Sequence, residues 1–449
     1  MQKFEKGSKK LLNAWAFYDW ANSVYTLTIA SSIFPIFYSA LFVGKLNKIV
    51  PAFGFEFKST ALITFITAFT FLVVAVSSPI LSGIADYVGN KKVFMKFFCY
   101  MGGLGCIGLY GFSLDTIYLS LLFYFMGLLG YWGSLVFYNS YLPDIAFESQ
   151  QDSVSAKGFS FGYIGSVILL IINLSMVMFP QYFGFDIGTT QADKDTASVQ
   201  AMRVAFITVG VWWIGFSQYT FAVLPDGVSK GHKVTKSLVF NGFKELKKVW
   251  NQLQENIRLK RYLYAFFVFS MAVQTIMLVA VYFGEEEIAW KDSEQKTLGL
   301  IVSILLIQIV AILGAILTSR ASAKFGNIKT LIAVNAVWML LCVAAYFITL
   351  PVHFYITATF VGLVMGGVQA LARSTYSKFL PETEDTTSYF SFYDVAEKIG
   401  IVIGMIIYGT IDQITGSMRN ATFFLFVFFF AGIVLLFKVP TKETKKSDL

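Results

Sequence analysis

Residues 61–92 read ALITFITAFTFLVVAVSSPILSGIADYVGNKK, and from Ala61 to Ile84 they hold 24 residues without one Asp, Glu, Lys or Arg. A helix of about 20 residues rises about 30 Å, the thickness of the hydrocarbon core of a bilayer. Hydrocarbon offers no partner to backbone N–H and C=O groups, so a segment of this composition crosses only as a helix that satisfies them internally. The run ends in Asp86, Gly89, Lys91 and Lys92, a polar turn of the kind that closes one side of a membrane. Gly89 permits a reversal with positive φ, and the basic pair anchors the turn on its own side.

The same pattern extends both ways from this stretch. Apolar segments lie near 14–42, 93–113, 117–138, 158–179 and 202–224, and after a gap near 263–283, 298–317, 330–350, 354–376, 389–411 and 422–437. With 56% hydrophobic, 17% aromatic and only 14% charged residues in 449, and a mean hydropathy of +0.65, the chain lacks the polar surface that water requires. The barrel alternative needs short alternating strands, which are absent from the pattern. The expectation is an all-α polytopic membrane protein of about twelve transmembrane helices, its partner the lipid bilayer. The first apolar run begins at Leu11 and far exceeds a signal-peptide core of about 7–15 residues, so it stays as a span.

Charge placement orients the chain. Of the 35 Lys and Arg, 26 fall on the side of the amino terminus and 8 on the other, leaving Lys398 within a span. Both termini are therefore expected in the cytoplasm, and the protein in the plasma (inner) membrane. The formal charge of +8 sits in short loops rather than on one soluble face, which argues against nucleic acid. The longest basic interruption splits the spans six and six, giving an amino-terminal bundle 1–224, a linker 225–262 and a carboxy-terminal bundle 263–449. Within the linker Val239, Phe243, Leu246, Trp250, Leu253 and Ile257 recur at steps of four and three, an amphipathic helix expected at the cytoplasmic membrane surface, either coupling the halves or binding anionic lipid, or else serving as a passive tether. A repeat is visible too: Ser82, Gly89-Asn90 and Lys92 recur in register as Ser319, Gly326-Asn327 and Lys329.

The 82–92 loop resembles the major facilitator signature between the second and third spans, with Ser82 in place of a usual Gly and Asn90 in place of a usual basic residue. Asp86 is expected to cap the following helix or to pair across the two halves. Further stretches are 15–23 (WAFYDWANS), 141–146 (YLPDIA), 153–158 (SVSAKG), 366–374 (GGVQALARS) and 390–398 (FSFYDVAEK). Together they resemble the autophagy-related protein 22 family of vacuole effluxers and its shorter bacterial relatives. The resemblance implies the major facilitator fold and a secondary transporter, with amino-acid efflux as its activity. It also implies that the first, fourth, seventh and tenth helices line a central cavity, which favours Asn22, Asn139, Gln274 and Gln369 as site residues. The seventh span departs from the pattern: Ser270-Met271-Ala272 stands where relatives often carry an acidic group.

Ionisable groups inside spans point to function on physical grounds, because each costs about 2.5–3.5 kcal/mol at mid-bilayer. Asp19 and Asn22 share one helical face and suit a substrate amine or a proton, or else a bond to a neighbouring helix. Gln369 and Arg373 share a face in the tenth span. Arg373 is a candidate for a substrate carboxylate, for a gate pair with Asp144 or Asp19, or for snorkelling to the membrane edge. Asp394, Glu397 and Lys398 are expected at the half interface, with an internal Asp–Lys pair at i, i+4. Asp86, Gly89, Lys91, Lys92 and Asp144 form the expected gating loop.

Enzyme motifs are absent. There is no phosphate-binding loop and no His-Glu-x-x-His, His232 and His353 are expected alone in loops, and Cys99, Cys106 and Cys342 lie in apolar runs without metal-site spacing. No catalytic residue, metal or cofactor is expected. The reading is a monomeric carrier of a small solute by alternating access, with protons as a candidate partner. Its alternatives are a transporter-fold sensor or scaffold, and a lipid or drug exporter.

Overall fold

The computed structural model describes residues 4–42, 49–227 and 238–441. Lys45, Lys48, the linker residues 228–237 and the tail 442–449, used in the charge count or linker expectations, lie outside the described residues, as do residues 1–3 and His232, expected alone in a loop.

The chain is a bundle of long helices. The first span is broken where a single run was expected, into α1 (Lys9–Val24), a π-helical turn Tyr25–Ala30 and α2 (Ile33–Ala40). A small antiparallel hairpin follows, β1 (Ile49–Ala52) with β2 (Phe55–Lys58), which hydropathy gave no sign of. Then come α3 (Ser59–Val88), α4 (Lys91–Gly108), α5 (Ile117–Ser140), the short α6 (Leu142–Ile145), α7 (Glu148–Met178) and α8 (Gln191–Val223). After α9 (Leu238–Glu255) the second half comprises α10 (Ile257–Glu287), α11 (Ser293–Phe325), α12 (Asn327–Phe347), α13 (Pro351–Lys378), α14 (Thr386–Thr415) and α15 (Met418–Phe437).

Eleven helical stretches among the described residues are long and apolar enough to cross a membrane. The twelfth long helix is α14, whose Asp394, Glu397 and Lys398 make it too charged by composition alone. It nevertheless packs among α3, α5, α10 and α15. Two boundaries differ from the hydropathy reading for the same reason. α7 begins at Glu148 rather than near Gly158, and α10 at Ile257 rather than Leu263, because their polar first turns are satisfied by side-chain bonds that composition does not register. His353 lies in the first turn of α13, not in a loop.

One apolar core runs from Leu11 to Leu224 around Trp15, Tyr18, Phe34 and Trp213. A second, from Val249 to Val439, surrounds Trp338, Tyr376 and Phe429 and also takes in Tyr163 of α7. Between them α7 packs on α11 and α13, and α3 and α5 pack on α14. The linker helix docks on protein rather than lying free on a surface. α9 packs along α3, buries Val249 and Leu253, sets the Trp250 ring 5.3 Å from Phe392 of α14, and bridges Lys248 to Asp385 at 2.8 Å. Hydrogen bonding to Asp385 first, and then to Glu245, holds the Lys248 ammonium above the usual lysine range.

α11 and α13 approach so closely that a Cβ at Gly366 would meet the carbonyl oxygen of Ala311. Overpacking a tight contact costs about 1–3 kcal/mol. Gly366→Leu is therefore expected to lower the melting temperature of the detergent-solubilised protein. Gly409→Ala, where a Cβ would meet nothing within 4 Å, is expected to leave it unchanged.

Candidate functional site

Asp19 lies ten residues into α1, about 15 Å from the helix start, and Arg373 lies five residues before the end of α13. These two helices bring the groups together across the halves: an Arg373 guanidinium nitrogen is 3.3 Å from Asp19 Oδ2, and the residues are 3% and 4% exposed. Arg373 is thus neither snorkelled nor paired with Asp144. Its Nε donates to Ser155 Oγ at 3.0 Å, a terminal nitrogen donates to the Ser155 carbonyl at 3.0 Å, and the other donates to Asn139 Oδ1 at 3.2 Å. Its flat face lies 4.2 Å from the Phe159 ring and 4.8 Å from the Trp15 ring. On the acid, Tyr138 Oη donates to Asp19 Oδ2 at 2.8 Å, and Trp15 Nε1 fixes Tyr138 through its carbonyl at 2.9 Å.

Gly158 makes room for the pair. A Cβ there would lie 2.5 Å from Asp19 Oδ2 and 3.1 Å from the Arg373 guanidinium. Asn22, expected to act with Asp19, is fully buried beneath the π-helical turn. Its Oδ1 accepts from Ser23 at 3.4 Å, while its Nδ2 has no hydrogen-bond partner.

A second charged cluster lies on α14. Lys398 Nζ is 2.5 Å from Asp394 and 2.9 Å from Glu397, the expected i, i+4 pair with a second acid added. Its ammonium sits 4.0 Å from the Trp132 ring of α5, and Ser78 of α3 donates to Asp394 at 3.4 Å. The seventh span, α10, carries no acid before Glu285. Instead Gln274 donates to Glu397 Oε1 at 2.8 Å, which joins it to this cluster rather than to Asp19. Gln369 bridges the space between, accepting from Tyr163 Oη of α7 at 2.7 Å and donating to Met277 Sδ at 3.5 Å. Tyr131 is within electrostatic reach of both Asp19 and Glu397.

At the end of the bundle where α1 begins, here the basic end, two polar latches join the halves. Asn90 caps α4 by accepting from the Val93 N–H, which leaves Asp86 free to cross. Asp86 accepts the backbone N–H of Thr387 at 3.3 Å and of Ser388 at 2.6 Å, two of the unpaired donors at the positive end of α14. Lys91 binds Asp144 at 2.5 Å, the Ser140 carbonyl at 2.8 Å and Thr386 Oγ1 at 2.9 Å. Lys92 binds Asp226 at 2.9 Å and the Leu224 carbonyl at 2.7 Å, and its ammonium holds the Asp226 carboxyl below the usual carboxylate range. Gly89 closes α3 at φ +76°.

The second latch was not anticipated. Asp152 of α7 receives Lys378 at 2.7 Å, Ser322 at 2.8 Å and Asn327 at 2.9 Å from the other half. The recurrence of residues 82–92 at 319–329 was the available signal, since Ser322 and Asn327 occupy the repeated loop. Tyr138, Ser155, Gly158 and Tyr163 were also missed as site residues, although Ser155 and Gly158 lie in a stretch that carried the family resemblance.

Removing one partner of a buried ion pair costs about 3–5 kcal/mol, because the other charge is left uncompensated. Asp19→Asn is expected to lower thermal stability in detergent, and adding Arg373→Gln to recover most of the loss. A double variant as unstable as the sum of the singles would deny that the two act as a unit.

The chain matches the family described as "Vacuole effluxer Atg22 like" over residues 7–448. It is 31% identical over 448 residues to an uncharacterized MFS-type transporter, YxiO, of Bacillus subtilis, covering 99% of this chain and 97% of that protein. Autophagy-related protein 22 of Kluyveromyces lactis is 21% identical, covering 98% and 95%. Among solved structures, the major facilitator superfamily transporter FucP in its outward conformation superposes with a TM-score of 0.70 at 15% identity, covering 96% of this chain and 99% of that one. The proton:xylose symporter XylE does so at 0.68 and 12% identity, covering 97% and 96%. With a family match along nearly its whole length and its helices arranged as in these structures, this chain belongs to the vacuole effluxer Atg22-like family and is a transporter of the major facilitator fold.

Proposed function

We propose that this transporter moves an amino acid or a similar small zwitterion by alternating access, driven by solute or ion gradients. The bundles 1–224 and 263–449 are the two rocking bodies. The basic end and both termini face the cytoplasm, and the membrane is the plasma (inner) membrane. Lys and Arg asymmetry supports the orientation.

The observation that carries the reading is the Asp19–Arg373 pair, one member from each body, both buried. Opening the basic end draws α1 from α13 and would strand a carboxylate and a guanidinium in a dry interior. A zwitterion supplies the two missing charges at once, its ammonium to Asp19 and its carboxylate to Arg373. The guanidinium fork suits a carboxylate in a way that a lysine ammonium does not. With the pair closed and the latches of Asp86 and Asp152 engaged, the basic end is shut.

Counterflow of radiolabelled amino acids in proteoliposomes tests this. Saturable exchange is expected, and Asp19→Asn or Arg373→Lys is expected to weaken it about 10- to 100-fold, the equivalent of a charged hydrogen bond of about 1.5–3 kcal/mol. Exchange of no amino acid, or full exchange in both variants, would remove the reading.

A further inference from the structure

At the basic end the start of α10 and the end of α15 meet in a groove of about 550 Å³, within the size range of small-ligand sites. The local sequence decides what faces it. In the first turns of α10 the Arg258 guanidinium lies 3.8 Å from the Phe379 ring, and Tyr262, fully buried, donates to the Ala372 carbonyl at 2.9 Å. Arg261 and Tyr264, three apart on the helix, are left on the outward face, with Tyr264 54% exposed. Across the groove the end of α15 presents Leu435, Phe437 and Lys438.

The two cations here are held in place and unmatched. Arg261 donates through one terminal nitrogen to the Lys438 carbonyl at 3.0 Å, which ties α10 to α15 and leaves its other donors for a ligand. Neither Arg261 nor Lys438 forms an ion pair among the described residues, and no acid lines the groove. Four lysines at the same end are by contrast committed to acids: Lys91 to Asp144, Lys92 to Asp226, Lys248 to Asp385 and Lys378 to Asp152.

The position of the groove selects its occupant. Lys438 is the first residue beyond the span Met418–Phe437, and Arg261 is the fifth of the span Ile257–Glu287, so both cations stand at headgroup depth. From Phe437 an exposed apolar stripe of Val434, Phe430 and Val427 descends α15 at steps of three and four. A free phosphate would use the cations and leave the stripe idle, whereas a phospholipid uses both.

We propose that this groove binds one anionic phospholipid, its phosphate between Arg261 and Lys438 and an acyl chain along the stripe below Phe437. The assignment is independent of which solute is carried. A guanidinium fork suits two oxygens of a phosphodiester, and Lys438 adds a point charge beside it. Basic pockets between membrane helices hold such headgroups. Once bound, the lipid clamps the start of α10 to the end of α15, one residue after the linker helix α9 ends.

Native mass spectrometry of the full-length protein in detergent, titrated with phosphatidylglycerol, phosphatidylcholine or inorganic phosphate, tests this without any solute. One phosphatidylglycerol is expected to bind more tightly than phosphatidylcholine, and inorganic phosphate at equal concentration is expected not to displace it. Lys438→Gln keeps the main-chain carbonyl that Arg261 holds, so the tie between the helices stays. It is expected to weaken phosphatidylglycerol about 5-fold, and Arg261→Gln combined with Lys438→Gln about 30-fold. Lys247→Gln combined with Lys324→Gln, which removes two exposed cations of the same end, is expected to leave the affinity unchanged. Equal binding of the two lipids, displacement by inorganic phosphate, or equal weakening in the two double variants would overturn the assignment.

Discussion

A carboxylate on α1 and a guanidinium on α13, 354 positions apart in sequence, are each too costly to bury alone, and the contact between the two halves is arranged around their meeting. Tyr138, Asn139 and Ser155 complete the hydrogen bonding, the Trp15 and Phe159 rings cover the guanidinium, and Gly158 lets α7 come near enough to seal it. Both charged groups are hydrogen-bonded within that shell, so the pair is stable while the basic end is shut and becomes a liability once it parts. An alternating-access carrier needs this kind of conditional stability, because a state that is always comfortable would not yield to a ligand.

The latches at the basic end share a design. In each, an acid from the amino-terminal half, Asp86 or Asp152, reaches across to donors on the other half. For Asp86 the donors are backbone groups at the start of α14; for Asp152 they are Lys378 and side chains of the repeated loop. The sequence repeat between 82–92 and 319–329 therefore survives with the roles exchanged, one loop giving an acid, Asp86, to the start of α14 and the other receiving an acid, Asp152, from α7. The linker helix α9 adds a third tie, since Lys248 holds Asp385 one residue before α14 begins.

Much of the fold was legible in the sequence because the bilayer imposes it. Uncharged runs of 20 or more residues have one solution. The i, i+4 contact of Asp394 with Lys398 could be read for the same local reason. What could not be read depends on which helix lies beside which. Spacing offered Arg373 both Asp144 and Asp19, and only packing assigned Asp144 to Lys91. Gln274 was grouped with Asn22 by helix position, yet it serves Glu397. The polar first turn of α7 escaped notice because a hydropathy window counts Asp152 as a cost, blind to Lys378, which compensates it. The π-helical turn at Tyr25–Ala30 and the hairpin at 49–58 carry no compositional mark.

The central claim is that the Asp19–Arg373 contact closes the basic end and gives way when a zwitterion takes its place. Spin labels on exposed residues of the two halves at that end, at Asn13 of α1 and Lys324 of α11, report it directly as a distance distribution in reconstituted protein. A single short distance without solute, joined by a longer population when a transported amino acid is added, is the predicted result. One unchanged distance under both conditions would contradict it.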